Sequence, residues 1–338
     1  MLLHRALFAG AVSVTPALDV VNGGWKVATA KVFSSIATGY KIFMKAGSFV
    51  SLSDYDEVQE ISGGGQRHVL FNTPIEGQTY YFIAVALQDS ETSLPSVIKP
   101  FTENETVLFS KSSVGTFAFM VPQDIYVLNC NLVGGAGGPG GGGGGGANDF
   151  FSGTGGIGGS GGAKGEDTSF GSNAASGGSG GGGGGGGASH RPVLPPVLPG
   201  QSGTSGMNST VFAGGAGGAG GNESGSAQSG SDGSMNAEGS WSEQPSWGRR
   251  NTFAPSGGAG RNSSPSGASG GLGGSGEYLN IPNLQVIPGS SISGIVGNRG
   301  NGGAGGSGGA TLSGQYGGNG QMATGSNLGN PGGIQIKG

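Results

Sequence analysis

Glycine is the residue that most constrains this chain, and it is confined to one part of it. Of 338 residues 82 are glycine, and nearly all the excess follows Val133. Gly140 to Gly146 and Gly180 to Gly187 are unbroken runs. Other stretches keep a three-residue beat. Gly155-Gly156-Ile157, Gly158-Gly159-Ser160 and Gly161-Gly162-Ala163 form one such series. Gly214-Gly215-Ala216 with Gly217-Gly218-Ala219 forms another, and Gly302-Gly303-Ala304, Gly305-Gly306-Ser307 and Gly308-Gly309-Ala310 a third. A flexible linker has no cause to hold that register. A left-handed helix with three residues per turn does, because every third residue then points the same way.

Such a helix has no internal hydrogen bonds, and glycine loses more conformational entropy on ordering than any other residue. Order therefore requires neighbours whose backbones bond sideways, an approach that only glycine allows. The expected arrangement is a packed bundle of polyglycine II helices. Interior helices should be nearly pure glycine, as in Gly180 to Gly187, and edge helices should carry Ala, Ser, Ile or Asn at every third place. The competing reading is a disordered low-complexity tail. The beat argues against it, and so do the β-like segments that return after the glycine region.

Those segments bracket the bundle. Thr116 to Val121 precedes Ile125 to Val133, in which Tyr126, Leu128, Cys130 and Leu132 alternate with Asn129 and Asn131. Further strands are expected near 278–296 and 333–337. The first part of the chain reads as all-β, with candidate strands at Leu7 to Val14, Trp25 to Phe33, Tyr40 to Phe49, Glu57 to Ile61, His68 to Phe71, Tyr80 to Leu87 and Ser96 to Pro100. Seven short strands in this length suit a sandwich. His4 and Arg5 ahead of Ala6 to Val14 also fit a short signal peptide, but the basic region is thin and the sandwich needs a first strand. The organisation is thus a sandwich over 1–103, a linker with first strands over 104–133 and the glycine-rich domain over 134–338, with almost no α-helix.

The stretch Gly77 to Ala86, followed by Glu91-Thr92-Ser93-Leu94-Pro95-Ser96, resembles the sixth and seventh strands of fibronectin type III domains. The resemblance implies that Trp25 is the buried tryptophan of the second strand, that Tyr40 to Phe43 lie in the third, and that Tyr80 is the corner tyrosine. Ala84 departs from the larger residue usual there. From about residue 110 onward the layout is similar to the glycine-rich tip adhesins of T-even-like bacteriophages. A strand enters Val133-Gly134-Gly135-Ala136, a long glycine-rich insert follows, and the chain closes on Gly332-Gly333-Ile334-Gln335-Ile336. That resemblance implies a tail-fibre or tail-tip protein of the virion. Its partners would be other tail or baseplate proteins and a bacterial outer-surface receptor, either polysaccharide or outer-membrane protein. Loops between glycine helices would face the receptor. The front module departs from that family. A structural fibre protein, or a secreted glycine-rich surface or ice-binding protein, is the alternative, and self-association into a homo-oligomer stays open.

If glycine is the scaffold, its interruptions carry recognition. The candidates are Phe150 and Phe151; His190 and Arg191, which open a proline-rich stretch; Trp241, Trp247, Arg249, Arg250 and Phe253; and Tyr316. Trp, Tyr and Arg anchor interfaces, and arginines suit carboxylate or phosphate groups. For the tryptophans and phenylalanines the alternative role is to cap the bundle and exclude water.

No enzyme is expected. His4, His68 and His190 are far apart, without partners at metal-ligand spacing. Gly-x-Gly-x-x-Gly matches arise by chance in such a sequence. Neither cofactor nor metal is implied. With 10% charged residues and a net charge of −4, the chain lacks the basic stripe that nucleic acid requires.

Overall fold

The computed structural model describes residues 15–49, 51–88, 91–147, 152–190, 197–210, 212–222, 226–233, 243–244, 246–250, 255–259, 264–322, 324 and 328–338. Among them every regular element is a strand.

The front of the chain forms two facing sheets. β1 (Ala17–Gly24) and β2 (Val27–Phe33) make one hairpin, and β3 (Gly39–Ala46) and β4 (Glu57–Ser62) make a second. β5 (Arg67–Asn72) returns to β2 and β6 (Thr79–Gln88) to β3. β7 (Glu91–Thr92) and β8 (Lys99–Thr102) both lie on β6. Alternation turns Leu18, Ala28, Ala30, Val32 and Phe71 toward Tyr40, Ile42, Met44, Tyr80, Phe82, Ala84 and Ala86 in one buried cluster. The alanines leave room for the rings, and Phe71 meets Phe82 edge-on at 5.3 Å. Tyr40 is wholly buried, and its hydroxyl donates to Gly65 O at 2.6 Å and accepts from Ser34 N at 2.8 Å.

Several strand expectations need correction. Leu7 to Val14 lies outside the described residues, and the first described strand is β1, hidden in the sequence between Pro16 and the glycines that end it. Trp25 is not in a strand core. Gly24 (φ 120°) and Lys26 (φ 55°) bend the chain into a tight turn, leaving Trp25 half-buried beneath the Lys26 ammonium at 5.1 Å. The expected strand Ser96 to Pro100 is broken. Ser93 and Ser96 accept from Ala86 N and Ala84 N through their side chains, each at 2.9 Å, which pushes Leu94 and Val97 outward. Asp54 pairs with Lys45 at 2.5 Å.

A second strand unit follows. β9 (Val107–Lys111) runs through what the sequence presented as a linker, before β10 (Gly115–Met120) and β11 (Val127–Val133). A short hairpin, β12 (Thr168–Phe170) with β13 (Asn173–Ala175), lies unannounced inside the glycine region. β14 (Ser189–His190) pairs with β15 (Val197–Leu198), and β16 (Tyr278–Gln285), β17 (Ser291–Val296) and β18 (Gly333–Lys337) complete the set. The order β16-β11-β18-β9 faces β10-β17-β12-β13 across a core of Phe119, Leu128, Cys130, Leu132, Phe170, Val296, Ile334 and Ile336. β18 lies in the middle of its sheet, between β11 and β9. Asn129 and Asn131 turn the other way, where the Asn280 amide donates to both. The unit meets the front module where Trp25 N–H donates to Val127 O at 2.9 Å and Lys31 pairs with Asp124 at 2.6 Å.

Between these strands run extended segments that belong to no sheet: 134–147, 152–166, 176–188, 199–208, 213–222, 226–233, 255–259, 265–277, 297–310 and 316–322. They bond sideways, and in 134–147 the direction rotates residue by residue. Gly138, Gly141 and Gly144 donate to Ala163, Ser160 and Ile157; Gly137, Gly140 and Gly143 donate to Gly274, Gly271 and Ala268; Gly142 and Gly145 donate to Gln321 and Gly318. Its carbonyls accept from yet other segments, at Gly181 and Gly184, at Gly300, Gly303 and Gly306, and at Gly258. Segment 176–188 donates to 134–147, 199–208 and 226–233 and accepts from 152–166, 213–222 and 265–277. These two segments hold the pure glycine runs, and every residue in them is buried. Outer segments expose every third residue, Thr154, Ile157 and Ser160 in one, Asn298, Asn301, Ala304 and Ser307 in another.

Candidate functional site

The glycine segments leave the strand unit and turn back at the far end. Described residues there are tied together across long sequence separations. Gly146 N–H donates to Pro265 O at 3.1 Å, Gly309 N–H to Gly145 O at 2.8 Å, Gly221 N–H to Gly186 O at 2.9 Å and Leu312 N–H to the Ser152 hydroxyl at 2.9 Å. The turn Thr311 to Gln315 is stiff for its length. Thr311 N–H donates to Gln315 O, Gly314 N–H to Thr311 O and Gln315 N–H to Thr311 Oγ1, and an Ala310–Tyr316 bridge closes its base. Gly314 (φ 76°) supplies the left-handed residue the turn requires. This backbone holds Leu312 at 93% exposure and Tyr316 at 63%.

The candidates divide between the two ends. Tyr316 is at the far end, and β14 brings the backbone of His190 there with it. Phe150, Phe151 and Arg191 fall outside the described residues, as do Trp241 and Phe253. Trp247, Arg249 and Arg250 are at the opposite end, against the strands. Trp247 is 6% exposed and packs on Val133 and Tyr278. Gly333 has no side chain, and the indole lies in the space this leaves. The Arg250 guanidinium donates to Asp232 at 3.0 Å, and Asp232 in turn accepts from Leu272 N–H, so this arginine stitches one segment end to another. Arg249 is exposed, with its carbonyl accepting from Asn330 N–H. Leu312 was missed from sequence. Its signal was a large apolar residue beside Tyr316 in the break of the glycine pattern between Gly309 and Gly317.

A charge cluster lies at the end of β18. Lys337 of β18 binds Glu243 at 3.1 Å and also Glu105. Burial alone would lower its pKa, but the hydrogen bonds to the two glutamates outweigh this and hold the ammonium above its usual range. Cys130 is fully buried in the core, and burial pushes its thiol up to about 12, which removes it as a nucleophile. Among the described residues no three His, Cys, Asp or Glu side chains gather as metal ligands would. A cavity of about 150 Å³ beside Trp247, lined by Ser112, Ser246, Asn330 and Pro331, is small for an organic ligand. No known family model matches the chain, and a search of characterised proteins found no match.

Proposed function

We propose that the glycine-rich part is a bundle of polyglycine II helices and that the chain is a receptor-binding adhesin of a bacteriophage tail fibre or tail tip. The bundle reading is supported by the rotation of donors around 134–147, three directions in three residues, which matches a three-residue turn. The front module reads as a fibronectin type III-like sandwich. Its strand order supports this, as does the Tyr80 hydroxyl, which accepts from Ile75 N–H at 3.2 Å in the manner of a corner tyrosine. In this reading the front module docks to the virion and the far turns meet the bacterial surface.

The observation that carries the functional reading is Leu312. A side chain so exposed gains nothing for the fold, yet its turn is fixed by several hydrogen bonds. Anchors held rigid before binding lose little entropy when a partner covers them. Trp247, from the richest interruption of the sequence, is buried against Val133 and Tyr278, which supports the capping role for it.

The test is binding of fluorescently labelled full chain to a panel of intact bacterial strains, beside a Leu312→Ser/Tyr316→Ala variant. The variant should melt like the parent and bind at least about tenfold more weakly. Equal binding by both, or no strain bound by the parent, would favour a structural fibre protein.

A further inference from the structure

We propose that the front module and the strand unit are locked into one body, with Gly24 as the key of the lock. Modules joined only by a linker move relative to one another by default. Suppressing that motion takes a second attachment away from the first, and both are present.

The first attachment is the covalent crossing from β8 to β9, which has little slack. On the front side Glu103 N–H donates to Gln78 O at 3.1 Å, its carbonyl accepts from Gly77 N–H at 2.8 Å, and its carboxyl accepts from the Thr73 hydroxyl at 2.6 Å. On the other side Glu105 pairs with Lys337 of β18. Thr106 exchanges two backbone hydrogen bonds with Gly338, at 2.9 and 3.1 Å. Only Asn104 separates the two sets of anchors.

The second attachment is lateral. Tyr126 N–H donates to Gly23 O at 2.7 Å and Trp25 N–H to Val127 O at 2.9 Å. The β5-β2-β1 sheet thereby runs on into β11 through the rung Gly24–Val127. Only glycine allows this approach. A Cβ at Gly24 would stand 1.9 Å from Val127 O, and a φ of 120° is one that other residues avoid. Side chains extend the contact sideways. Lys31 of β2 pairs with Asp124 at 2.6 Å, and the His68 ring of β5 stacks on Tyr126 at 5.4 Å. Contacts on β1, β2 and β5 are spread over about 10 Å, at roughly 4.8 Å per strand, so they oppose rotation as well as separation.

Spin labels on Thr92→Cys in the front module and Ser293→Cys in the strand unit, both exposed positions, test this by pulsed electron paramagnetic resonance on the full chain. Single-cysteine controls check that buried Cys130 takes no label. The parent should give one narrow distance distribution. Inserting six Gly and Ser residues after Asn104 removes the first attachment. A released connection of that length has an r.m.s. span of about 15 Å, yet the distribution should keep the parent's position and width, because the lateral lock holds. Adding Gly24→Ala to the insertion should spread it over that range. Asp124→Ala with Tyr126→Ala in the insertion background, which leaves the β1–β2 turn untouched, should broaden it as well. A broad distribution in the parent, or broadening by the insertion alone, overturns the proposal. So does a distribution that stays narrow in both combined variants. The outcome is independent of the adhesin reading.

Discussion

One methyl group should separate the glycines of the buried segments from the residues exposed on the outer ones. Gly183 lies in the buried segment 176–188. A Cβ added there would stand 2.5 Å from the Gly159 carbonyl carbon and 2.9 Å from that of Ser160, both in the facing backbone. Carbon atoms rest at about 3.5–4.0 Å, so segment 152–166 must retreat by about 1 Å. Gly159 N–H donates to Gly184 O at 2.8 Å, and that retreat carries the bond beyond hydrogen-bonding range. The flanking bonds, Gly156 to Gly187 and Gly162 to Gly181, stretch with it. A lost bond costs about 0.5–1.5 kcal/mol net, and each buried group left without a partner about 1–3 kcal/mol. Against this, alanine restricts the unfolded chain and returns about 0.5–1 kcal/mol. Gly183→Ala should therefore destabilise by about 2–5 kcal/mol, lowering Tm by about 10 °C for a unit of this size. Ser160→Ala, which removes only an exposed hydroxyl, should stay within about 0.5 kcal/mol of the parent. Thermal melts of both variants followed by circular dichroism decide it. A Gly183→Ala protein that melts with the parent would refute close backbone packing as the source of order.

Trp247→Ala should cost about 3–5 kcal/mol by opening a cavity over Val133 and Gly333, while cell binding below the melting temperature stays at the parent's level; loss of binding without loss of stability would restore Trp247 as a contact residue. Cys130, its thiol pushed up to about 12, should resist a thiol-reactive dye at pH 8 in the folded protein and react once denatured, and rapid native labelling would contradict its burial. Glu103 is buried, and burial raises its carboxyl pKa, although Thr73 Oγ1 donates to it at 2.6 Å and opposes the shift. A raised pKa means the folded state holds the proton more tightly, so stability from this group is full at acid pH and falls as pH climbs past the ordinary glutamate range. Melts from pH 4 to 8 should show the parent losing stability relative to Glu103→Gln as pH rises, and a flat or opposite trend would refute the assignment.

How much of this was legible in the sequence follows from what each signal physically encodes. The triplet beat records which side of each segment is free, because a Cβ is tolerated only where no neighbouring backbone lies. Ile157, Ser160, Ala304 and Ser307 could therefore be read as rim positions from the letters alone. The strands β11 and β18 were legible because alternating side chains in β11, and an apolar pair in β18, must face a core. β1 was not, since Pro16 and Gly23-Gly24 imitate turn signals on both sides of it. Trp25 was misjudged because a large aromatic in a β-rich stretch suggests core, whereas a positive φ at Lys26 is invisible in composition. The candidate site was the least legible. Which end of a segment carries a loop depends on the direction in which the chain runs along it, and nothing local to Trp247 or Tyr316 records it. Trp247 suited an anchor and a cap alike and is buried, while Leu312 looked ordinary and is the most exposed large apolar residue described.

The two halves of the glycine-rich domain divide the physical work. Glycine segments bury little apolar surface, so the hydrophobic effect cannot order them. The strand unit can, because its core of Phe, Leu, Ile and Val residues is of an ordinary kind. It also holds segment ends: 134 leaves β11, 166 leads to β12, 176 leaves β13, 277 enters β16, 297 leaves β17 and 332 enters β18. Fixing an end shortens the stretch that must find its neighbours unaided, which lowers the entropy to be overcome. The lateral hydrogen bonds then set direction and spacing with little dependence on side chains. Among the described residues, the far turn Thr311 to Gln315 contributes no side chain to the strand core. A turn of that kind can change in length and composition while the strand core and the lateral hydrogen bonds stay constant.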